Sequence, residues 1–150
     1  MIVVAVSSGT SVDGIDVAAA ELWSERELVR LRPLGHLEVG YSDGLRAAIL
    51  DVLPPAHTTL EAVTRIDTGI GTEFASAAVR GISELAGGHA DLVVSHGQTV
   101  FHWIAGGHAR GTLQLGQPAW IAEATGVPVL SDVRARDIAA GGHGAPLASV

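Results

Sequence analysis

The residues of this chain best suited to chemistry stand together in Ser8-Gly9-Thr10-Ser11-Val12-Asp13-Gly14-Ile15-Asp16. Gly9 and Gly14 carry no side chain to hold a ligand away from the backbone. Successive amide N–H groups in such a turn form a concavity for an anion. Thr10 and Ser11 add hydroxyl donors, and the carboxylates of Asp13 and Asp16 suit a hydrated Mg²⁺ beside a polyphosphate. The same residue types also suit a plain tight turn between two strands. A Walker loop is excluded, because it needs a lysine and the chain has none. The dinucleotide pattern G-x-G-x-x-G is absent too, and the segment after the turn reads as strand. A phosphate site here must work through amides and hydroxyls.

A second group of candidates lies in Ser95-His96-Gly97-Gln98-Thr99-Val100-Phe101-His102, after the apolar run Asp91-Leu92-Val93-Val94. Polar residues at the carboxyl end of a buried strand sit where open α/β sheets place ligands. His96 and His102, six apart on a strand, share a face and in principle a metal. Gly97 argues for a bend between them, and no third ligand stands at metal spacing. No metal ligand is therefore assigned within the chain. His96 and Gln98 read instead as hydrogen-bonding groups of a polar cleft, with a backbone-tied buried histidine equally suited to the pattern. A Ser95–His96–Asp132 triad lacks the G-x-S-x-G elbow, and adjacent strand side chains point to opposite faces. Arg134 and Arg136 can clamp an anion or a carboxylate, or simply pair with Asp132 and Asp137. The glycines of Gly141-Gly142-His143-Gly144 allow a ligand close to the backbone, or only a turn.

The elements that must position these groups follow from periodicity. Ile2–Val6, Val17–Trp23 and Leu28–Leu34 read as three consecutive antiparallel strands. Ser42 is placed to cap a helix with Leu45, Ile49 and Leu53 on one face, ended by Pro54-Pro55. A long helix is predicted from Thr59 to Leu85, opened by a capping box in Thr58-Thr59-Leu60-Glu61. Gly69, Gly71 and Gly81 inside it each cost about 1 kcal/mol relative to alanine, so packing must hold the segment helical. Buried strands follow at Asp91–Val94 and Val127–Leu130, with a strand at Gly111–Leu115 and a helix from Gln117 to Glu123 between them. The fold class is α/β, a mixed sheet with an antiparallel N-terminal meander and flanking helices.

One hundred and fifty residues suit a single domain. A net charge of −7 without an arginine cluster argues against nucleic-acid binding. The absence of cysteine excludes disulfides, thiol catalysis and thiolate metal sites. No leader and no apolar run long enough for a bilayer is seen, so the expected location is cytoplasmic, away from membranes. The mean hydropathy of +0.35 is high for a chain with 17% charged residues. Either the core is rich in alanine and valine, or an apolar face awaits a cover outside these residues.

Taken in order, these segments resemble the anhydro-N-acetylmuramic acid kinases, members of the superfamily of sugar kinases, heat-shock chaperone ATPases and actin. The match is carried by Ser8–Asp16, by Ser95-His96-Gly97-Gln98-Thr99, and by Leu113-Gln114-Leu115-Gly116 through Gly141-Gly142-His143-Gly144-Ala145-Pro146-Leu147. Ser7 stands where the family usually has Met, and His143 where it usually has Gln. The resemblance implies a ribonuclease H-like, actin-like ATPase lobe. It implies ATP and Mg²⁺ as cofactors, with ATP held by Gly9, Thr10, Ser11, Val12, Asp13, Gly14, Ile15 and Asp16. The amino sugar would be bound by His96, Gly97, Gln98 and Arg134. It implies the conversion of 1,6-anhydro-N-acetylmuramic acid to its opened 6-phosphate in peptidoglycan recycling, and a homodimer in the intact family. The family's chain is more than twice as long, and its general-base aspartate belongs to a later motif. Residues 1–150 thus read as an N-terminal lobe without its partner and inactive alone. A non-catalytic module that binds a nucleotide or a partner is the alternative.

Overall fold

β1 (Ile2–Ser8), β2 (Ile15–Glu25) and β3 (Leu28–Val39) form the expected antiparallel meander, each longer than the apolar runs that announce it. The structure is a computed structural model and describes residues 1–144. Pairing carries β2 and β3 past their apolar centres, from Ile15 opposite Val39 to Glu25 opposite Leu28. Pro33 lies on β3, the edge strand, where a missing N–H is tolerated.

α1 (Asp43–Val52) stops at Leu53, which is extended ahead of Pro54-Pro55. Ser42 precedes it without capping it: its hydroxyl donates to Glu73 Oε1 at 2.6 Å and its amide to Glu73 Oε2 at 3.2 Å. Those two bonds tie α1 to α2 (Leu60–Glu84). The cap of α2 is Thr59, whose hydroxyl accepts from the Ala62 amide at 3.1 Å. The box expected between Thr58 and Glu61 is not formed, and Glu61 pairs instead with Arg65. A Cβ on Gly69 would lie 2.9 Å from Leu45 of α1, and one on Gly81 would lie 2.5 Å from Val17 of β2. The helical glycines thus mark where other elements cross α2.

β4 (Leu92–Ala105) runs for 14 residues, well beyond the four that the apolar run predicts. Its first half lies parallel between β1 and the two-residue β6 (Val129–Leu130). Its second half forms a hairpin with β5 (His108–Leu115). Polar Ser95–His102 is thus mid-strand, because two neighbours satisfy its backbone and strand propensity does not decide. α3 (Pro118–Thr125) starts on Pro118 and packs on α2. α4 (Val133–Ala139) was not visible as a helix in the sequence. It has no buried residue, and side-chain bonds hold it: Asp137 Oδ2 accepts from the Gly144 amide at 2.8 Å.

The strand order is β3-β2-β1-β4-β5, with β6 beside the first half of β4; β1, β2 and β3 are antiparallel, and β4 runs parallel to both β1 and β6. One face carries Val4, Val6, Val17, Ala19 and Val93, all buried against Phe74, Ala77 and Ala78 of α2. The opposite face, with Val3, Ala5, Ala18, Ala20 and Val94, is exposed or half-exposed. Helices therefore do not cover both sides within the described residues. No helix among them is long and apolar enough to cross a membrane.

Candidate functional site

Between β1 and β2 the chain turns tightly, with the Val12 amide donating to the Gly9 carbonyl at 3.2 Å. Val12 adopts φ +57° and is fully buried, so it plugs the turn into the core. Three side chains hold the loop from behind by its carbonyls. Ser8 Oγ donates to Gly14 O at 2.7 Å, Gln98 Nε2 to Gly9 O at 3.0 Å, and Arg46 Nε to Val12 O at 2.9 Å. Among the described residues the amides of Thr10, Ser11, Asp13 and Gly14 donate to nothing. A loop with its carbonyls tied inward and its amides free is an anion-binding nest.

The loop faces an open cleft of about 510 Å³ that Gly9, Ser11, Asp13, Asp16 and Glu38 line. Gly9, Thr10, Ser11, Asp13 and Asp16 are exposed and Gly14 half-buried, whereas Val12 and Ile15 offer only backbone. Asp13 and Asp16 are hard oxygen donors of the kind Mg²⁺ takes alongside phosphate oxygens, so the residues present fit the ion. Three carboxylates around one cleft would repel a bare polyphosphate and call for such a cation.

Behind the loop, the chain of β4 bulges at Gly97, which has φ +73°. A Cβ there would lie 2.8 Å from the Leu115 carbonyl, so only glycine fits. The bulge supplies the bend expected between His96 and His102. No cluster of three metal-ligating side chains exists among the described residues. Gln98 was expected to touch substrate, but it is completely buried. Its amide donates to Gly9 O and to Thr99 O at 3.2 Å, and its Oε1 accepts from the Tyr41 hydroxyl at 3.2 Å. Its side chain supports the loop from behind. Burial, with the charge of Glu73 adding, pushes the Tyr41 phenol up to about 12.

His96 and Gly97 line a separate cavity of about 310 Å³ together with Ser95, Gln114, Asp67 and Asp132. Ser95, His96 and Asp132 line the same cavity, yet no hydrogen bond joins them: Ser95 Oγ has no partner among the described residues and His96 Nδ1 sits on Gly97 O. A serine hydrolase arrangement is not formed. Arg134 lies one step away, its Nη1 donating to Thr99 Oγ1 at 2.7 Å and its Nε to the Gly144 carbonyl. Gln114 Nε2 donates to the same Thr99 hydroxyl at 3.2 Å. The segments around residues 9, 97, 114, 134 and 144 are thereby linked through Gln98 and Thr99. Ala145 to Val150 lie outside the described residues. Tyr41, Arg46 and Asp67 escaped the sequence reading because no local motif marks a residue that acts through another.

A sequence profile of the anhydro-N-acetylmuramic acid kinases matches residues 1–150. The chain belongs to that family. Anhydro-N-acetylmuramic acid kinases of Streptomyces coelicolor and Streptomyces avermitilis are 61% and 58% identical over 150 residues, all of this chain and 38% and 39% of theirs. That of Rhodococcus erythropolis is 53% identical over 149 residues, 99% of this chain and 38% of its own. The chain thus spans well under half the length of these kinases. In space, the Thermus thermophilus RuvC structure covers 96% of this chain and 71% of its own at 16% identity, with a TM-score of 0.40. Within this family member the three motifs are tied together by hydrogen bonds: the loop of residues 9–14, the Gly97 bulge, and the β5–α4 contacts around Thr99.

Proposed function

We propose that this chain provides the phosphate-holding and sugar-holding lobe of a cytoplasmic, homodimeric kinase that acts on 1,6-anhydro-N-acetylmuramic acid with Mg·ATP. The carrying observation is the loop of residues 9–14, whose carbonyls are bound from behind while four of its amides have no partner among the described residues. In the reaction, water adds at the anomeric carbon, the bond from that carbon to the bridging oxygen breaks, and the released O6 takes the γ-phosphoryl group. The products are N-acetylmuramic acid 6-phosphate and ADP, which serves peptidoglycan recycling. Thr10, Ser11 and the free amides hold phosphate oxygens, and Asp13 and Asp16 hold the ion. Bound Mg²⁺ neutralises charge on the transferring phosphate. His96 and Gly97 border the acceptor, with Arg134 near it through Thr99.

The test places residues 1–150 in the frame of the Streptomyces coelicolor kinase, 61% identical to them, and follows ADP release with the anhydro sugar. The chimera should turn over like its parent. Gly9→Val in it should cost about 10²-fold, the scale of removing one preorganised anion donor. A Cβ at Gly9 meets only Ser11 Oγ at 3.5 Å, so valine fits the fold while filling the nest. At Gly14 the Cβ lies 3.0 Å from the Val39 carbonyl, which makes that site a poorer probe. A folded chimera without turnover, or one indifferent to Gly9→Val, would overturn the reading.

A further inference from the structure

We infer that Arg46 is a positioning residue that turns the peptide between Val12 and Asp13 so that its N–H, and not its carbonyl, faces a phosphate in the loop of residues 9–14. That role rests on the phosphate reading of the loop and explains how the loop's polarity is set. A trans peptide points its C=O and the following N–H to opposite sides. Arg46 Nε donates to Val12 O at 2.9 Å, so the Asp13 amide is aimed away from Arg46, and it has no partner among the described residues. Gln98 acts in the same way on the peptide between Gly9 and Thr10. Of the three side chains that hold the loop from behind, only Arg46 is charged. A charged donor makes the stronger hydrogen bond. It also polarises the peptide, so that the N–H on the far side donates better.

Val12 is where the loop needs such an anchor. A β-branched residue at φ +57° is in a rare backbone state, kept only where its surroundings over-determine it. The Val12 side chain is fully buried, and its amide donates to Gly9 O at 3.2 Å. Those two contacts hold the residue but not the peptide that follows it, which turns over by rotation about the bonds on either side. Turned over, it would present Val12 O to the cleft beside Asp13, Asp16 and Glu38, and an anion would meet a further negative dipole. The bond from Arg46 selects against that state. Its base is fixed: the Arg46 amide donates to Ser42 O at 2.9 Å in the first turn of α1, and Ser42 is bound by Glu73 of α2. No carboxylate pairs with the Arg46 guanidinium among the described residues, so its charge serves the loop.

The test titrates the 150-residue chain with inorganic pyrophosphate in the presence of Mg²⁺, following the backbone amide resonances and the Arg46 Nε–H. In the parent, the amides of Thr10, Ser11, Asp13 and Gly14 should show saturable shifts. The Arg46 Nε–H should shift with them, since the carbonyl it holds and the Asp13 amide belong to one peptide. Arg46→Met keeps the apolar stem and removes the donor. It should weaken pyrophosphate by about tenfold, the scale of one lost hydrogen bond, and silence Asp13 while Thr10 still responds. Arg46→Lys, which supplies a cationic donor again, should restore the Asp13 response. A folded Arg46→Met chain in which Asp13 responds as in the parent, or in which Thr10 and Asp13 weaken alike, would overturn the inference. So would an Arg46 Nε–H that stays unmoved in a parent whose Thr10 and Ser11 respond, a result that needs no variant. Each of these outcomes leaves the phosphate reading of the loop standing. A parent without any response at Thr10 and Ser11 would overturn that reading and the role of Arg46 with it.

Discussion

Gln98 and Tyr41 show how much of the loop's geometry is held by side chains buried behind it. The Gln98 amide carries the carbonyl of Gly9, and the Tyr41 hydroxyl fixes that amide's orientation through Oε1. The phenol is buried and its pKa raised from 10.0 to about 12, so the folded state favours its neutral form. An acid whose pKa is higher in the folded than in the unfolded chain contributes stability fully present below the unfolded value. That stability is lost as pH rises from about 10 to about 12. The chain has no lysine and only one tyrosine, so tyrosinate absorbance reports Tyr41 alone. Urea midpoints should hold steady to about pH 9 and then fall, and Tyr41→Phe should flatten the fall. An equally steep decline in the phenylalanine variant would remove Tyr41 as its cause.

At the scale of elements, α2 is the member on which the others rest, and its glycines decide how closely. Alanine at Gly81 would gain about 1 kcal/mol of helix propensity. Its Cβ, however, would lie 2.5 Å from Val17 Cγ1 and 3.1 Å from Val4 Cγ1, at the centre of the sheet. Overpacking of that kind costs about 1–3 kcal/mol and wins over propensity. Gly81→Ala should therefore lower the urea midpoint, and Ser76→Ala, on the exposed side of the same helix, should leave it near the parent value. If Gly81→Ala were stabilising, the close approach of α2 to β1 and β2 would be wrong. β4 makes the complementary point: one strand serves the parallel sheet with its first half and a hairpin with its second, and Gly97 marks the change.

Across the whole molecule the sheet is unevenly covered. Val4, Val6 and Val17 are at most 1% exposed beneath α2, while Val3, Ala5, Ala18, Ala20 and Val94 on the reverse side are open or half-open. The paired strands add exposed Leu31, Trp103 and Ile104. This uneven cover accounts for the high mean hydropathy that the composition shows. Apolar patches above a few hundred Å² are rare on soluble monomers. The chain by itself should bind the dye ANS or self-associate, and the chimera with the rest of the Streptomyces coelicolor kinase should do so much less. Dye fluorescence and light scattering compare the two. A monodisperse chain without a dye signal would mean that the reverse face is closed by its own residues.

Local rules settled what depends on neighbours in sequence. The meander, the span of α2, Pro118 at the start of α3 and the concave turn at Gly9–Gly14 follow from periodicity, caps and glycine placement, and the family from three motifs in order. Tertiary structure decided the rest. The capping box at Thr58 gave way to Thr59, and Ser42 gave its hydroxyl to Glu73, because partners distant in sequence set those geometries. The length of β4 depends on β1 and β5 satisfying its backbone. α4 depends on Asp137 reaching the Gly144 amide, for which no apolar period exists to be read. Gln98 looked like a ligand contact because its type is polar. Burial between Tyr41 and Gly9 made it a support, since an amide enclosed there must spend all its hydrogen bonds on the protein.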